Sequence, residues 1–418
     1  MTSLAARSRR VAAYSLLTAS TLAGLGCSDD PSGPGNQEIV IGGLFSLTGN
    51  WSSLGVASKA AMEIGIDDVN AYLAEGNSGL RFTPSIKDTK LVPATALADI
   101  TAFKDAGVEV VLGPQSSAEV AAIKSYADAN GILVASQSST AGTLAIADDN
   151  IFRFTPSDTL EAVALVGLMK ADGMRTIVPF WRNDAGNVGL QVATRILFGL
   201  TGTVKPGVEY AATQPDFAAA LASLKTQVQA AIAERGGTAT VAVAHAGFDE
   251  VVDIFKAATA DPVLSSVRWY GTDGTALTEP LRADATAAAF ARTVSFWAPI
   301  PGVDREASDR WEPIAARIAA RAGAPPDAFG LAVYDAVWVT AQAYLATGGR
   351  GKPAALKSAF VTAANNLYGA SGWTTLNAAG DRKFGDFDFF ALSLNGTSSV
   401  WTLRAQYDTQ RQVLTRIP

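Results

Sequence analysis

From residue 38 to about residue 270, short apolar runs alternate with stretches of helical periodicity, and this restricts the fold more than any other feature. Residues 39–41 read as a buried strand. A helix follows over about 53–73, with Met62, Ile66, Val69 and Leu73 on one face. Residues 81–87 form the next strand. Pro93 fits the first turn of a helix that carries Ala96, Ile100 and Phe103 and closes at Gly107. Strands at 108–112 and 132–135 flank a helix whose Ser116 and Glu119 have capping-box spacing. Repeats of this length require a parallel sheet covered on both faces.

The pattern then recurs. Asp158 and Glu161 read as a second capping box, before a helix over 163–169. Strands at 176–181, 238–244 and 267–271 alternate with helices at 188–200, around Leu221 and Leu224, and at 249–258. Two helical stretches lie within 311–346, and the last 45 residues turn β-like. The expected class is α/β, with two doubly wound parallel-sheet lobes. A chain of 418 residues suits two lobes better than one core.

The first 27 residues have a separate logic. Arg7, Arg9 and Arg10 precede an apolar run over 11–26 that ends at Cys27. A charged start, a short hydrophobic region and small residues are the order of a secretory signal. The run is shorter than the ~20 residues of a spanning helix. Residues 28–37, rich in Ser, Asp, Pro and Gly, read as a flexible tether. Cys27 is the only cysteine, so no intramolecular disulfide can form. Its surroundings resemble a bacterial lipobox, with Leu25 one place closer to the cysteine than is usual. Lipidation at Cys27 is the expectation, placing an exported lipoprotein on the periplasmic side of a bacterial membrane, held there by its lipid anchor.

Composition removes several function classes. The net charge of −6 lacks the basic footprint of a nucleic-acid binder. One histidine, His245, and one cysteine argue against a His/Cys metal site and against Ser-His or Cys-His catalysis. There is no Gly-x-Ser-x-Gly elbow and no phosphate loop ending in Gly-Lys-Ser/Thr. The expectation is therefore a protein that is not an enzyme and uses no metal or cofactor. His245 reads as a packed histidine at a strand end.

Ligands of open parallel sheets bind outside the carboxyl ends of the strands. Three loops occupy such positions: residues 45–51, residues 113–117, and residues 136–141 with Ser138, Ser139 and Thr140. Hydroxyls and helix-start amides can hold a carboxylate there without a cationic side chain. In the second half, Gly271-Thr272-Asp273-Gly274 follows a strand in the same way. Hydroxyls in one lobe and the Asp273 carboxylate in the other match the two ends of a zwitterion.

The ordered set Ile39-Val40-Ile41-Gly42, Ser46-Leu47-Thr48-Gly49, Asp67-Asp68-Val69-Asn70, Asp88-Thr89-Lys90, Phe152-Arg153-Phe154, Gly271-Thr272-Asp273-Gly274, Tyr334-Asp335-Ala336-Val337 and Gly380-Asp381-Arg382 resembles the leucine/isoleucine/valine-binding family. These are type I periplasmic binding proteins that serve ABC importers. The resemblance covers about residues 38–405. It implies two lobes joined by three chain crossings that close on the ligand. The expected division is 38–158 with 299–368 for the first lobe, and 159–298 with 369–418 for the second. By resemblance, Ser117 and Thr140 hold the α-carboxylate. The Ser138 carbonyl and Asp273 take the ammonium, with Ser139 beside them, and Trp51 and Leu54 line the side-chain pocket. Gly186 stands where the family often has an aromatic residue, and a second aromatic position falls at Gly247 or Phe248, so a branched-chain ligand is not implied. The expected partners are a small-molecule ligand and an ABC permease and ATPase complex, with a monomeric protein. Two further readings stay open: a sensor that signals to a membrane receptor, and a surface lipoprotein with a vestigial pocket.

Overall fold

The computed structural model describes residues 37–214 and 216–417; Cys27 and the expected signal and tether lie outside them. In the first lobe the alternation produces β1 (Gln37–Phe45), α1 (Ser52–Glu75), β2 (Leu80–Asp88), α2 (Pro93–Asp105), β3 (Val110–Leu112), α3 (Ser117–Asn130), β4 (Leu133–Ser136) and β5 (Ile151–Arg153). The five strands form one parallel sheet in the order β2-β1-β3-β4-β5. This is the doubly wound sheet that the sequence implies.

The second lobe follows with α4 (Asp158–Ala171), β6 (Thr176–Asn183), α5 (Ala185–Gly199), β7 (Thr203–Val204), β8 (Val208–Ala211), α6 (Ala218–Arg235) and β9 (Val241–Ala246). It continues through α7 (Val251–Ala258), β10 (Arg268–Tyr270), α8 (Glu279–Ala283), α9 (Ala285–Thr293) and β11 (Trp297–Pro301). The chain returns to the first lobe with α10 (Ser308–Ala322), α11 (Ala328–Thr347) and α12 (Pro353–Asn366). It ends with β12 (Tyr368–Gly369), β13 (Gly372–Trp373), β14 (Phe387–Asn395), β15 (Ser398–Asp408) and β16 (Val413–Arg416). The α/β class holds, but the second sheet is parallel only in part. Strands β6 to β11 pair in parallel, whereas β14, β15 and β16 join the β11 edge antiparallel. The tight turns at Gly396 and around Gln412 allow hairpins there, and hairpins run antiparallel.

One apolar core joins the first sheet to α11, through Ile39, Ile41, Met62, Val69, Val337 and Tyr344. The second joins Val178, Val243, Phe255, Trp269 and Phe296. Four residues from first-lobe segments, Trp51, Leu54, Leu91 and Phe329, belong to this second core. The lobes are thus closed on each other. Gly55 makes one close approach possible: a Cβ there would lie 1.8 Å from the Ser46 carbonyl oxygen, so only glycine brings α1 against the loop after β1.

Where the chain passes between lobes, Arg153 at the end of β5 pairs with Asp381. Both guanidinium and carboxylate are almost wholly buried, and Nη2 donates to Oδ2 at 2.7 Å. Arg153 Nη1 also donates to the Ala141 carbonyl at 2.6 Å, so one side chain ties the crossing to the loop after β4. Asp335 on α11 holds the neighbouring crossing, accepting from the Ala370 and Ser371 amides at 2.7 and 2.8 Å. Replacing Arg153 by Ala leaves Asp381 buried without its cation. The expected cost is about 3–5 kcal/mol, read as a lower midpoint in urea unfolding of Arg153→Ala against the wild type.

Candidate functional site

Asp88 fixes the loop after β1 by accepting from the Leu47 amide at 2.9 Å and the Thr48 hydroxyl at 2.6 Å. Gln115 ties the same loop to the loop after β3, accepting from Ser46 N at 2.7 Å and donating to the Trp51 carbonyl at 3.2 Å. The loop after β4 is joined in turn. Ser136 and Ser138 donate to the carbonyls of Pro114 and Gln115 at 2.6 and 2.9 Å, and Ser117 Oγ accepts from the Ala141 amide at 3.2 Å. Three loops from three strand ends are thereby locked into one rigid rim.

Trp51, Ser116, Ser117, Ser138, Thr140, Asp158, Gly186, Asn187, Leu190, Phe248 and Asp273 enclose a cavity between the lobes. Of the residues expected at the site, Trp51, Ser117, Ser138, Thr140, Gly186, Phe248 and Asp273 come together there. Leu54 and Ser139 do not line it. Leu54 packs in the second apolar core, and the Ser139 hydroxyl lies 3.0 Å from Ser117 Oγ, behind the wall. Room for water centres is only about 10 Å³, on the order of one water. A ligand of amino-acid size therefore enters only when the lobes part.

The first-lobe wall is the start of α3. Ser116 caps it and forms the expected box with Glu119. Because Ser116 takes the Glu119 amide, the Ser117 and Ala118 amides remain as donors without intrahelical partners. Asp184 caps α5, accepting from Asn187 N at 3.0 Å, so a second helix start faces the cavity from the other lobe. An added Cβ at Gly186 would sit 3.4 Å from Ser117 Oγ, so a larger residue there would fill the space between the two helix starts.

The reading of Asp158 as a cap is corrected. The N-cap of α4 is Ser157, and Asp158 is the first helical residue. Its carboxylate lines the cavity instead, 98 % buried, and neither oxygen has a hydrogen-bond partner. Burial is the main cause that pushes its pKa up to about 8. The nearby Thr140 hydroxyl opposes this, and the Asp273 charge adds to it. Glu161, one turn on, accepts the Asp273 amide at 3.0 Å, and burial followed by the charges of Asp273 and Asp158 pushes it well up. Burial likewise raises Asp273.

Sequence inspection missed the contacts that close the lobes. Asn50 Nδ2 donates to Glu250 at 2.7 Å, Asp249 N donates to Asn50 Oδ1 at 3.0 Å, and Trp51 N donates to Asp249 Oδ2 at 2.7 Å. The Trp51 and Phe248 rings stack with centroids 4.6 Å apart. Arg182 supports this latch from the second lobe, 2.8 Å from Asp184 and 3.4 Å from Glu250, with its guanidinium 5.3 Å from the Phe248 ring. His245 stands apart, buried on β9 with Nδ1 3.1 Å from the Phe180 carbonyl; burial holds it down at about 4, so it is neutral. Among the described residues no group of His, Cys, Asp and Glu has the arrangement of a metal site, and no helix is long and apolar enough to cross a membrane.

Two outcomes follow from this geometry. A carboxyl group raised in the folded state holds its proton more tightly there than in the unfolded chain. Stability is therefore lost as pH rises from the ordinary value of 3.8 towards 8, with a slope of at most about 1.4 kcal/mol per pH unit per group. Thermal melts from pH 4 to 8 show this decline, and Asp158→Asn flattens it and is the more stable protein near pH 8. Separately, Asn50→Ala removes two interlobe hydrogen bonds, each contributing about 0.5–1.5 kcal/mol, and raises the radius of gyration in solution scattering by shifting the population to open lobes.

Comparison with known proteins places the fold. Residues 57–395 match the family described as the receptor family ligand binding region. An uncharacterized protein of Methanocaldococcus jannaschii, MJ1266, is 26% identical over 396 residues, covering 90% of this chain and 91% of that protein. The branched-chain amino acid transporter substrate-binding protein LivJ of Streptococcus pneumoniae, solved with isoleucine, superposes with a TM-score of 0.67 at 19% identity, over 88% of this chain and 99% of that one. The leucine-binding protein LivK of Thermotoga maritima gives a TM-score of 0.70 at 18% identity, over 89% and 99%. The chain belongs to the family of the receptor ligand binding region, as its resemblance to the leucine/isoleucine/valine-binding proteins leads one to expect, and it has the type I periplasmic binding protein fold.

Proposed function

We propose that this protein is an exported, lipid-anchored solute-binding protein that captures an amino acid or related small polar solute between its lobes and delivers it to an ABC permease. The observation that carries this reading is the cavity itself. Hydroxyls and helix-start amides line its first-lobe side, carboxylates line the other, and the lobes meet through a small set of directed contacts. An anion at the start of α3 is favoured by the helix dipole and by charge-assisted hydrogen bonds. The carboxylate of Asp273 meets an ammonium. Trp51 and Phe248 cover the pocket and exclude water.

Binding works by shifting a population. Ligand that touches both lobes favours the closed form by its differential affinity for the two forms. The division into lobes at residues 38–158 with 299–368, and 159–298 with 369–418, suits a hinge at the crossings beside Arg153 and Asp335. Anchorage at Cys27 would keep the clamp beside its permease on the periplasmic side of the membrane. The work is binding rather than catalysis. Structural neighbours such as LivJ are transporter substrate-binding proteins, which supports the transport reading over signalling to a receptor.

A thermal-shift screen of amino acids, amides and small carboxylates tests the reading. A ligand that prefers the folded state raises the melting temperature, and Thr140→Ala weakens the best hit by about 1–3 kcal/mol when a buried acceptor loses its donor. A flat screen, or a hit indifferent to Thr140, overturns it.

A further inference from the structure

The acidic groups at the cavity outnumber the single ammonium of a zwitterion. Two carboxylates, Asp158 and Asp273, face the enclosed space, and Glu161 lies directly behind Asp273. No Lys, Arg or His is among the lining residues. The guanidiniums of Arg153 and Arg182 are engaged elsewhere: Arg153 holds Asp381 and the Ala141 carbonyl, and Arg182 holds Asp184 and Glu250. An amino-acid zwitterion brings one ammonium and one further carboxylate. Its carboxylate takes the start of α3 and its ammonium takes Asp273. Asp158 is then left buried with both oxygens unpartnered, as it is in the structure. A buried carboxyl with both oxygens unpartnered is costly in either protonation state, and Arg153, the cation that bears on it, is committed to Asp381 and the Ala141 carbonyl; a donor from the ligand would relieve that cost.

Resting on the solute-binding reading above, we infer that the ligand is a small organic cation with two ammonium-type groups, one for Asp273 and one for Asp158. A diamino acid and a diamine share this chemistry. They differ in whether a carboxylate also meets the start of α3. Trp51 and Phe248, stacked on each other, complete the enclosure and give it apolar wall that suits the methylene chain between two such groups.

The inference has a second readout. The groups that bear on Asp158 are Glu161 on its own helix, Asp273 after β10, Asp184 at the start of α5 and Arg153 on β5, beside the Thr140 hydroxyl. Three of these four charged neighbours are acidic, and burial keeps the Asp158 carboxyl protonated at neutral pH. A dication that pairs with it displaces a proton to solvent.

Isothermal titration of the full-length protein at pH 7.5 with L-lysine, putrescine and L-leucine, in two buffers of different ionisation enthalpy, tests this. The expected result is that lysine or putrescine binds at least about tenfold more tightly than leucine and releases protons. Asp158→Asn, an isosteric change, removes most of that preference and the proton release while the protein still melts cooperatively. Preference for lysine over putrescine identifies the diamino acid, and the reverse the diamine. Leucine binding as tightly as both, or an Asp158→Asn protein that keeps the preference, overturns the inference and leaves solute binding standing. Binding of none of the three, with no hit among the wider amino acids and amides, overturns the solute-binding reading itself.

Discussion

Arg153 is the residue on which the remaining architecture depends. Its guanidinium is buried, and a buried charge persists only with full compensation. Asp381 supplies that compensation from a segment 228 residues away, and the Ala141 carbonyl completes it from the rim of the cavity. A single side chain thus sets the distance between a lobe crossing and the ligand loop. Neighbouring Arg382, also buried, donates to Ser371, whose amide and hydroxyl are held by Asp335. Crossing, helix α11 and rim form one continuous polar network inside an otherwise apolar junction. Such a network stiffens the junction, with Arg382 Nε its one buried atom here that lacks a partner.

The rim shows how hydroxyl-rich loops are used. Most of their hydroxyls are spent on one another and on carbonyls, so they shape the wall more than they touch what lies inside it. Thr140 and the first amides of α3 are what the wall presents. The acidic side is built in the opposite manner. Asp158, Glu161 and Asp273 lie close together with few compensating donors, and neither Asp158 oxygen has a partner. A cluster of buried carboxyls held above their ordinary range at one cavity points to ligand chemistry more than to structural chemistry.

Much of this was legible in the sequence. The strand and helix alternation gave the two lobes, and the capping box at Ser116 and Glu119 marked the helix start that faces the cavity. Asp158 shows where spacing fails. A Ser, Thr, Asp or Asn three residues before Glu has the same signature whether its side chain turns back to the helix or out to a cleft, and only the neighbouring lobe decides. Here Ser157 occupies the cap position and frees Asp158 for the cavity. The latch was invisible for another reason. Asn50 and Glu250 are 200 residues apart, and no local pattern marks residues that meet only when two lobes close. The antiparallel edge of the second sheet was equally hidden, because β-like periodicity does not state the direction in which strands pair.

The stack of Trp51 on Phe248 has a kinetic meaning as well as a structural one. With Leu54, Leu91 and Phe329 it continues the apolar core of the second lobe across the cleft, so parting the lobes exposes apolar surface to water. The cavity is reached only through that parted form. Whatever enters the cavity must wait for the seam between the lobes to open. Ligand that favours the closed form makes the seam slower still to open for escape, which would leave release to a partner, such as the proposed permease, that can pry the two halves apart.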